Sequence, residues 1–257
     1  MKKLVKDDIT YVKPQNLLST ENAKTVKGKK LGYTTYIIYL APHKQNSKGI
    51  NLCSHASEGC VKACLFGSGN ARFTKTQQGK VNKTEYFLAD RKGFMLQLVN
   101  EITKIEKKHN NANTKFAIRL NGTSDVRFEK LKVNGKNIFD TFPKIQFYDY
   151  TKNPIRMFMD MPKNYHLTFS MSEDNKGICI HMLNCGKNVA MVFNVKKDKP
   201  LPSQYKGFKV INGDETDLRF LDENNVIVGL KYKLIMTKGK GFNKKQVETN
   251  DFIITDF

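Results

Sequence analysis

The chain has 257 residues, 39% of them hydrophobic, and its 44 lysines and arginines against 24 acidic residues give a formal net charge of +20. No apolar run approaches the roughly 20 residues that span a bilayer, and the charged first ten residues lack the apolar stretch of a signal peptide. We therefore expect a cytoplasmic protein, neither membrane-bound nor secreted. The length suits one large domain, or one domain with a small appendage.

The basic excess favours a polyanionic partner, most simply DNA or RNA. The basic residues are spread along the chain rather than gathered in one block, so a lysine- and asparagine-rich coding bias accounts for the charge equally well. Both interpretations stay open at the level of composition.

The first predicted elements come in the order lead-in, strand, cysteine segment and helix. Residues 1–33 are expected to form a basic helical or irregular lead-in. "TTYIIYLA" (34–41) predicts a buried strand, which the cysteine segment (51–69) follows. "TEYFLADRKGFMLQLVNEITKIEKK" (84–108) spaces apolar residues at helical intervals and predicts one helix, which Gly93 weakens but does not end.

Further apolar runs alternate with helical connections in the rest of the chain. The runs predict strands at residues 115–125, 144–152, 165–173, 189–195 and 208–212. The connections lie at residues 136–142, 154–161 and 175–185. Because parallel neighbours need crossovers, this alternation predicts an α/β fold with six βα-type strands over residues 34–221. Residues 222–257 are expected to add a C-terminal β-hairpin and a last strand.

Three of the five cysteines lie in the segment "NLCSHASEGCVKACLFGSG". Cys53, Cys60 and Cys64 have the spacing C-x6-C-x3-C. In the cytosol such clusters are more often metal ligands or redox groups than disulfides. Thiolates bind soft or borderline metals, and the polar neighbours argue against three unligated, buried cysteines.

Two metal centres fit this segment. One is an iron–sulfur cluster held by the three cysteines with one iron open, which the wide spacing favours. The other is zinc, with His55, Cys179 or Cys185 as the fourth ligand. Gly67 and Gly69 in "LFGSGN" (65–70) could let backbone amides approach the cluster or an anion closely, or could simply end a helix in a turn.

Polar residues gather where the predicted strands end, in "RLNGTSD", "YDYTK" and "SMSE". In barrel and doubly wound folds the carboxyl ends of the strands carry the functional site. We therefore expect a shared pocket that hydrogen-bonds the amino, carboxylate or ribose groups of a small ligand, with Lys152 neutralising an anion. The expected binding residues are Asn121, Ser124, Asp125, Asp149, Lys152, Ser170, Ser172 and Glu173. The pattern identifies no catalytic residue.

Six βα-type strands with a three-cysteine segment after the first strand resemble the radical S-adenosylmethionine enzymes. The resemblance implies a partial (βα)6 TIM-like barrel and a [4Fe–4S] cluster on Cys53, Cys60 and Cys64, with S-adenosylmethionine on the open iron. Asn121, Ser124 and Asp125 would then lie near the methionine end of that cofactor. The usual spacing in the superfamily is C-x3-C-x2-C, and "NGTSD" stands where it has a glycine-rich, GGE-like strand end.

The blocks "NLCSHASEGCVKACLFGSG", "RLNGTSD" and "FYDYTK" also resemble a family of bacteriophage and mobile-element proteins. That resemblance covers roughly residues 50 to 195. It implies an architecture and a host cytoplasm that carries a phage or mobile element, rather than a reaction.

The sequence leads to one main functional hypothesis and two alternatives. The main one is a radical-S-adenosylmethionine-like iron–sulfur enzyme, served by a reductant protein, that acts on a nucleic acid, a nucleotide or another component of a phage programme. One alternative is a nucleic-acid-binding phage factor whose metal centre is structural or redox-sensing. The weaker alternative is a zinc-dependent barrel hydrolase.

Overall fold

The structure is a computed structural model that describes residues 3–20, 25–64, 73–232, 236–237, 240–241 and 251–257. The predicted glycine turn at residues 65–70 therefore lies outside the described residues. No helix in the described part of the chain is long and apolar enough to cross a membrane.

The described strands are short and are spread over the whole chain. In chain order they are β1 (Lys3–Lys6), β2 (Ile9–Val12), β3 (Leu18–Ser19), β4 (Tyr33–Ile38), β5 (Lys115–Arg119), β6 (Lys132–Val133), β7 (Lys136–Asn137), β8 (Gln146–Thr151), β9 (Tyr165–Ser170), β10 (Val189–Phe193), β11 (Gln204–Tyr205), β12 (Phe208–Asn212), β13 (Ile227–Lys231), β14 (Met236–Thr237), β15 (Lys240–Gly241) and β16 (Ile253–Ile254).

The described helices range from single turns to a helix of 22 residues. The α-helices are α1 (Thr25–Gly28), α2 (Glu58–Lys62), α3 (Thr74–Ala89), α4 (Arg91–Ala112), α5 (Ile138–Thr141) and α6 (Lys176–Asn184). Single 3-10 turns lie at Lys29–Leu31, Phe128–Lys130, Pro154–Met157, Glu173–Asn175 and Arg219–Leu221.

The chain divides into two compact units. The first unit comprises the described residues of Met1–Ser54, Phe73–Asp149 and Asp160–His166, and the second those of His55–Arg72, Tyr150–Met159 and Leu167–Phe257. Strands β8 and β9 therefore begin in the first unit and end in the second.

A mixed sheet forms the centre of the first unit. Its strand order is β3-β4-β5-β8, with β4, β5 and β8 parallel and β3 antiparallel to β4. Ile37 and Ile118 on these strands are fully buried, as are Leu98 and Ile102 on α4. The apolar runs and the helical spacing of α4 explain this burial, because each element hides its apolar side from water.

The second unit has its own mixed sheet. Strand β10 pairs in parallel with β9, β13 and β16, β13 pairs in parallel with β12, and β12 pairs antiparallel with β11. Gly229 on β13 permits the close approach of β12, since a Cβ there would lie 2.7 Å from a methyl carbon of Val210. The core of this unit is rich in methionine and includes Met171, Met182 and Met191.

The predicted α/β class and the parallel pairing of its strands are confirmed, but the described strands do not close into a barrel. The strand order ends at β3 in the first unit and at β11 in the second. Both end strands are two residues long and antiparallel to their neighbours, so each leaves an open edge rather than a parallel partner for closure. The predicted division at residues 33 and 221 stays a prediction.

The helix predicted over residues 84–108 is interrupted. Asp90 leaves the helical conformation between α3 and α4, with φ −138° and ψ 68°, and its side chain accepts a hydrogen bond from the Gly93 amide at 3.2 Å. A Cβ at Gly93 would overlap the Asp90 carboxylate. Asp90 therefore caps a second helix, and Gly93 makes room for that cap.

The lead-in differs from expectation. Strands β1 and β2 form a hairpin where a helical or irregular segment was expected, turning through Asp7 and Asp8, both in the left-handed conformation. In the C-terminal segment, strand β13 pairs in parallel with two neighbours. The expected hairpin follows as β14 and β15, and the expected last strand is β16.

Candidate functional site

The first cysteine lies in the first unit, in the loop that follows β4. Cys53 is half-buried, and its Sγ accepts a hydrogen bond from the His43 backbone amide at 3.5 Å. The same thiol donates to the Thr123 carbonyl at 3.7 Å. Thr123 belongs to the loop that follows β5, so the first thiol is held where the carboxyl ends of two neighbouring parallel strands meet.

Two backbone contacts join these loops more tightly. The Asp125 amide donates to the Leu52 carbonyl at 2.9 Å, and the Gly122 amide donates to the Ile38 carbonyl at 2.9 Å. A Cβ on Gly122 would lie 2.6 Å from Ile37 and 2.7 Å from the Ile38 carbonyl oxygen. The glycine of "RLNGTSD" therefore serves the close approach of two backbones.

Asn121 and Asp149 form a buried network in the first unit. Asp149 Oδ1 accepts the Asn121 backbone amide at 2.8 Å, and Asp149 Oδ2 accepts the Asn121 side-chain amide at 3.2 Å and the Tyr165 hydroxyl at 2.9 Å. The buried guanidinium of Arg119 forms an ion pair with this carboxylate, with Nε 3.8 Å from Oδ1. A fully buried carboxylate is stable only with partners of this kind.

The side-chain oxygen of Asn121 shapes the loop that follows. Asn121 Oδ1 accepts from the Ser124 hydroxyl at 2.9 Å and from the Val126 amide at 2.8 Å. The structure thus brings Asn121, Ser124 and Asp149 together, as the strand-end pattern predicted, and these contacts engage their polar groups with protein partners. Their role in binding a ligand stays a prediction.

The other two cysteines of the segment lie in the second unit, on and after α2. Ser57 caps this helix, and its Oγ accepts the Cys60 amide at 3.2 Å. Cys64 lies two residues beyond the end of α2, and both Cys60 and Cys64 are half-buried. The spacing S-x-x-C, three residues from the cap to the cysteine, is the sequence signal for this helix start.

Glu173 binds the start of α2. Its Oε2 accepts the Ser57 hydroxyl at 2.6 Å, and its Oε1 accepts the Gly59 amide at 2.6 Å. Burial alone would raise the pKa of Glu173, but these two hydrogen bonds and the positive charge of Lys152 lower the pKa below its ordinary value. Glu173 is therefore held as a carboxylate.

Lys152 and Ser170 meet in the second unit, one residue after β8 and at the last residue of β9. The Lys152 ammonium donates to the Ser170 hydroxyl at 2.8 Å and lies 5.3 Å from the centre of the Phe252 ring. Lys152 was predicted to neutralise an anion. In the structure its positive charge acts on the carboxylate of Glu173. Ser172 is buried and forms a capping box with Asn175.

The candidates for a fourth metal ligand differ in their surroundings. Cys179 is fully buried, its Sγ donates to Asn175 Oδ1 at 3.2 Å, and burial raises the pKa of its thiol to about 12. Cys185 is exposed, with its Sγ 3.6 Å from His181 Nε2, and His55 is exposed as well.

The donor set of the cysteine segment fits a soft metal. All five cysteines are thiols, so Cys53, Cys60 and Cys64 retain their sulfur donors. Among the described residues, however, no three His, Cys, Asp or Glu side chains are grouped closely enough to hold a metal ion. The ligand set thus rests on the residue types and their spacing.

Two charged or polar residues of these networks were missed by sequence reasoning. Arg119 and Tyr165 looked like ordinary strand residues. Arg119 ends an apolar strand directly before a polar loop, which is the signal that could have indicated a buried ion pair. Nothing in the local sequence of Tyr165 indicates its bond to Asp149.

Comparison with known proteins gives a family. The Gene product 88 family matches residues 16–246, and this family is of phage type. No curated protein and no solved structure matches the chain. The match spans most of the chain and includes the cysteine segment and the strand-end loops. This protein belongs to the Gene product 88 family.

Proposed function

We propose that this protein is an iron–sulfur enzyme in which Cys53, Cys60 and Cys64 hold a [4Fe–4S] cluster. The observation that carries the proposal is the occurrence of three cysteines between residues 53 and 64, none of them in a disulfide, after strand β4. Three thiolates leave one iron for a ligand, as in the radical S-adenosylmethionine enzymes. When bound, the cluster supplies an electron for the reduction of S-adenosylmethionine, and a reductant protein replaces that electron.

The residues of the chain have separate tasks in this proposal. The Thr123 carbonyl and the His43 amide orient the Cys53 thiol, and Glu173 fixes the start of the helix that carries Cys60. Lys152 offers a positive charge to an anionic ligand group, with Ser170 beside it. The substrate is a nucleic acid, a nucleotide or another phage component, met in the cytoplasm of the bacterial host.

An optical spectrum with metal analysis on anaerobically purified protein tests the proposal. We expect a brown protein that absorbs near roughly 400 nm, with about four irons per chain. Reduction in the presence of S-adenosylmethionine should then release methionine. A colourless protein with about one zinc per chain would contradict the proposal and favour a zinc-stabilised binding protein or the zinc-dependent hydrolase.

The net charge of +20 favours a second candidate, a nucleic-acid-binding phage factor without turnover. Its metal centre would be structural or redox-sensing. This candidate predicts binding to DNA or RNA that weakens steeply as salt rises, and no effect of S-adenosylmethionine. Gel-shift titrations at about 50 and 200 mM salt, with and without that cofactor, separate the two candidates.

A further inference from the structure

We infer that Glu173 is the positioning residue of the cysteine helix α2 and so holds Cys60 and Cys64 in place for metal binding. The part that concerns metal binding rests on the proposed function. The ligand-binding role of Glu173 stays a prediction; in the structure both of its carboxylate oxygens have internal partners.

The geometry of the contact carries the inference. Both carboxylate oxygens of Glu173 are used, one by the Ser57 hydroxyl and one by the Gly59 amide, each at 2.6 Å. Ser57 in turn accepts the Cys60 amide at 3.2 Å. Glu173 is thus linked to the backbone of Cys60 through one side chain.

The length of α2 makes an outside anchor necessary. The helix has five residues, and an isolated helix this short does not form in water because nucleation is costly. Two of its first backbone amides, those of Gly59 and Cys60, are satisfied by Glu173 and Ser57. Without the carboxylate, the Gly59 amide loses its acceptor while buried, and the helix start is free to open.

The surroundings of Glu173 hold it still. Ser172, the residue before it, is buried and forms a capping box with Asn175, so the turn Glu173–Asn175 is fixed at its first residue. Lys152 adds a positive charge that favours the carboxylate form. Glu173 is thus a carboxylate held in place at the start of α2, as expected of a residue that positions this helix.

The test compares Glu173→Gln and Ser57→Ala with the matched control Asp174→Asn, which changes the exposed neighbouring carboxylate. The first readout is the alkylation rate of each cysteine by iodoacetamide in metal-free, folded protein, followed by peptide mass spectrometry. Glu173→Gln should speed alkylation of Cys60 and Cys64 about tenfold or more, because the neutral amide removes the charge that strengthens both hydrogen bonds. Alkylation of Cys53, which has other contacts, should not change.

The second readout is iron bound per chain after anaerobic reconstitution. Glu173→Gln should bind less iron than the unsubstituted protein and Asp174→Asn. If alkylation of Cys60 and Cys64 rises but even the unsubstituted protein binds no iron, the positioning role stands and the proposed function fails.

Combining the two substitutions gives a further check, because both break the same link. The double variant Glu173→Gln/Ser57→Ala should alkylate little faster than Glu173→Gln alone. Unchanged alkylation of Cys60 and Cys64 in folded Glu173→Gln would overturn the inference. Equal acceleration at Cys53 would do so as well, because it would show general loosening.

Discussion

Asp149 and Glu173 are two carboxylates near the ends of neighbouring strands in the sequence, and they do different work. Asp149 is fully buried in the first unit and binds strand and loop residues. Glu173 is half-buried in the second unit and binds the start of a five-residue helix. A polar residue at a strand end can therefore stabilise the strands and loops around it or hold the start of a short helix, and its partners decide which.

The largest effect should come from Asp149→Asn. The amide would turn donors toward the Asn121 amide or the Tyr165 hydroxyl, and buried Arg119 would lose a carboxylate charge. We expect a loss of about 3–5 kcal/mol in the free energy of unfolding, measured by urea denaturation. Glu173→Gln should lose far less. Equal losses in both variants would remove the distinction between scaffold and positioning carboxylates.

Asp222 is a third carboxylate whose side chain is largely buried. Its Oδ2 accepts no hydrogen bond among the described residues. Burial raises its pKa to about 6, opposed by Arg219, whose Nη1 lies 3.3 Å from Asp222 Oδ2, and assisted by Asp217 and Glu223. The folded state therefore binds a proton more readily than the unfolded state. This group's stabilising contribution is present below about pH 4 and is lost as the pH rises through about 6.

The measurement is the free energy of unfolding between pH 4 and 7 for the unsubstituted protein and Asp222→Asn. The difference between the two should change by about 2–3 kcal/mol across this range, in favour of the variant at pH 7. Asp174→Asn serves as the exposed control. A difference that stays flat with pH would show that Asp222 has an ordinary pKa.

Gly122→Ala tests the backbone side of the first unit. A Cβ there would lie 2.6 Å from Ile37 and 2.7 Å from the Ile38 carbonyl oxygen, so one strand-end loop must move. We expect a loss of about 1–3 kcal/mol in the free energy of unfolding. Relative to the unsubstituted protein, the alkylation rate of Cys53 should rise more than that of Cys60. Gly177→Ala is the matched control, because Gly177 has open space around it and no positive φ. Gly135 is unsuitable as a control because its φ is positive. If Gly177→Ala were as destabilising as Gly122→Ala, the close contact would not be the cause.

The smallest effect should come from Tyr165→Phe. It removes one hydrogen bond to Asp149 and leaves the contacts from Asn121 intact. We expect a loss of about 1 kcal/mol, measured by the same denaturation. Tyr205→Phe is a control outside this network. A loss as large as that of Asp149→Asn would mean that Tyr165, rather than the ion pair, holds the network.

The strands were predictable because their apolar runs are buried on both sides, as for β4, β8 and β10. The break at Asp90 could not be predicted, because the apolar periodicity continues across it. The break depends on Asp90, whose side chain caps α4 by accepting the Gly93 amide. The hairpin of β1 and β2 was missed because a basic composition hides the turn at Asp7 and Asp8.

The sequence indicated several polar residues that take part in buried networks, but it did not indicate their partners. Strand-end position indicated Asn121, Asp149 and Glu173. Their partners depend on contacts between distant parts of the chain, such as the 116 residues that separate Ser57 from Glu173. No local sequence pattern predicts such a contact, because it depends on how distant parts of the chain pack in the folded protein.

The most direct test of the central claim counts iron and sulfide in anaerobically reconstituted protein beside Cys60→Ser and Cys185→Ser. Cys185 is exposed, lies outside the cysteine segment and is a candidate fourth ligand, so its variant tests whether three cysteines suffice. We predict about four irons and four sulfides per chain in the unsubstituted protein and in Cys185→Ser, and a marked loss in Cys60→Ser. Equal iron in all three proteins, or none in any, would contradict a cluster held by Cys53, Cys60 and Cys64.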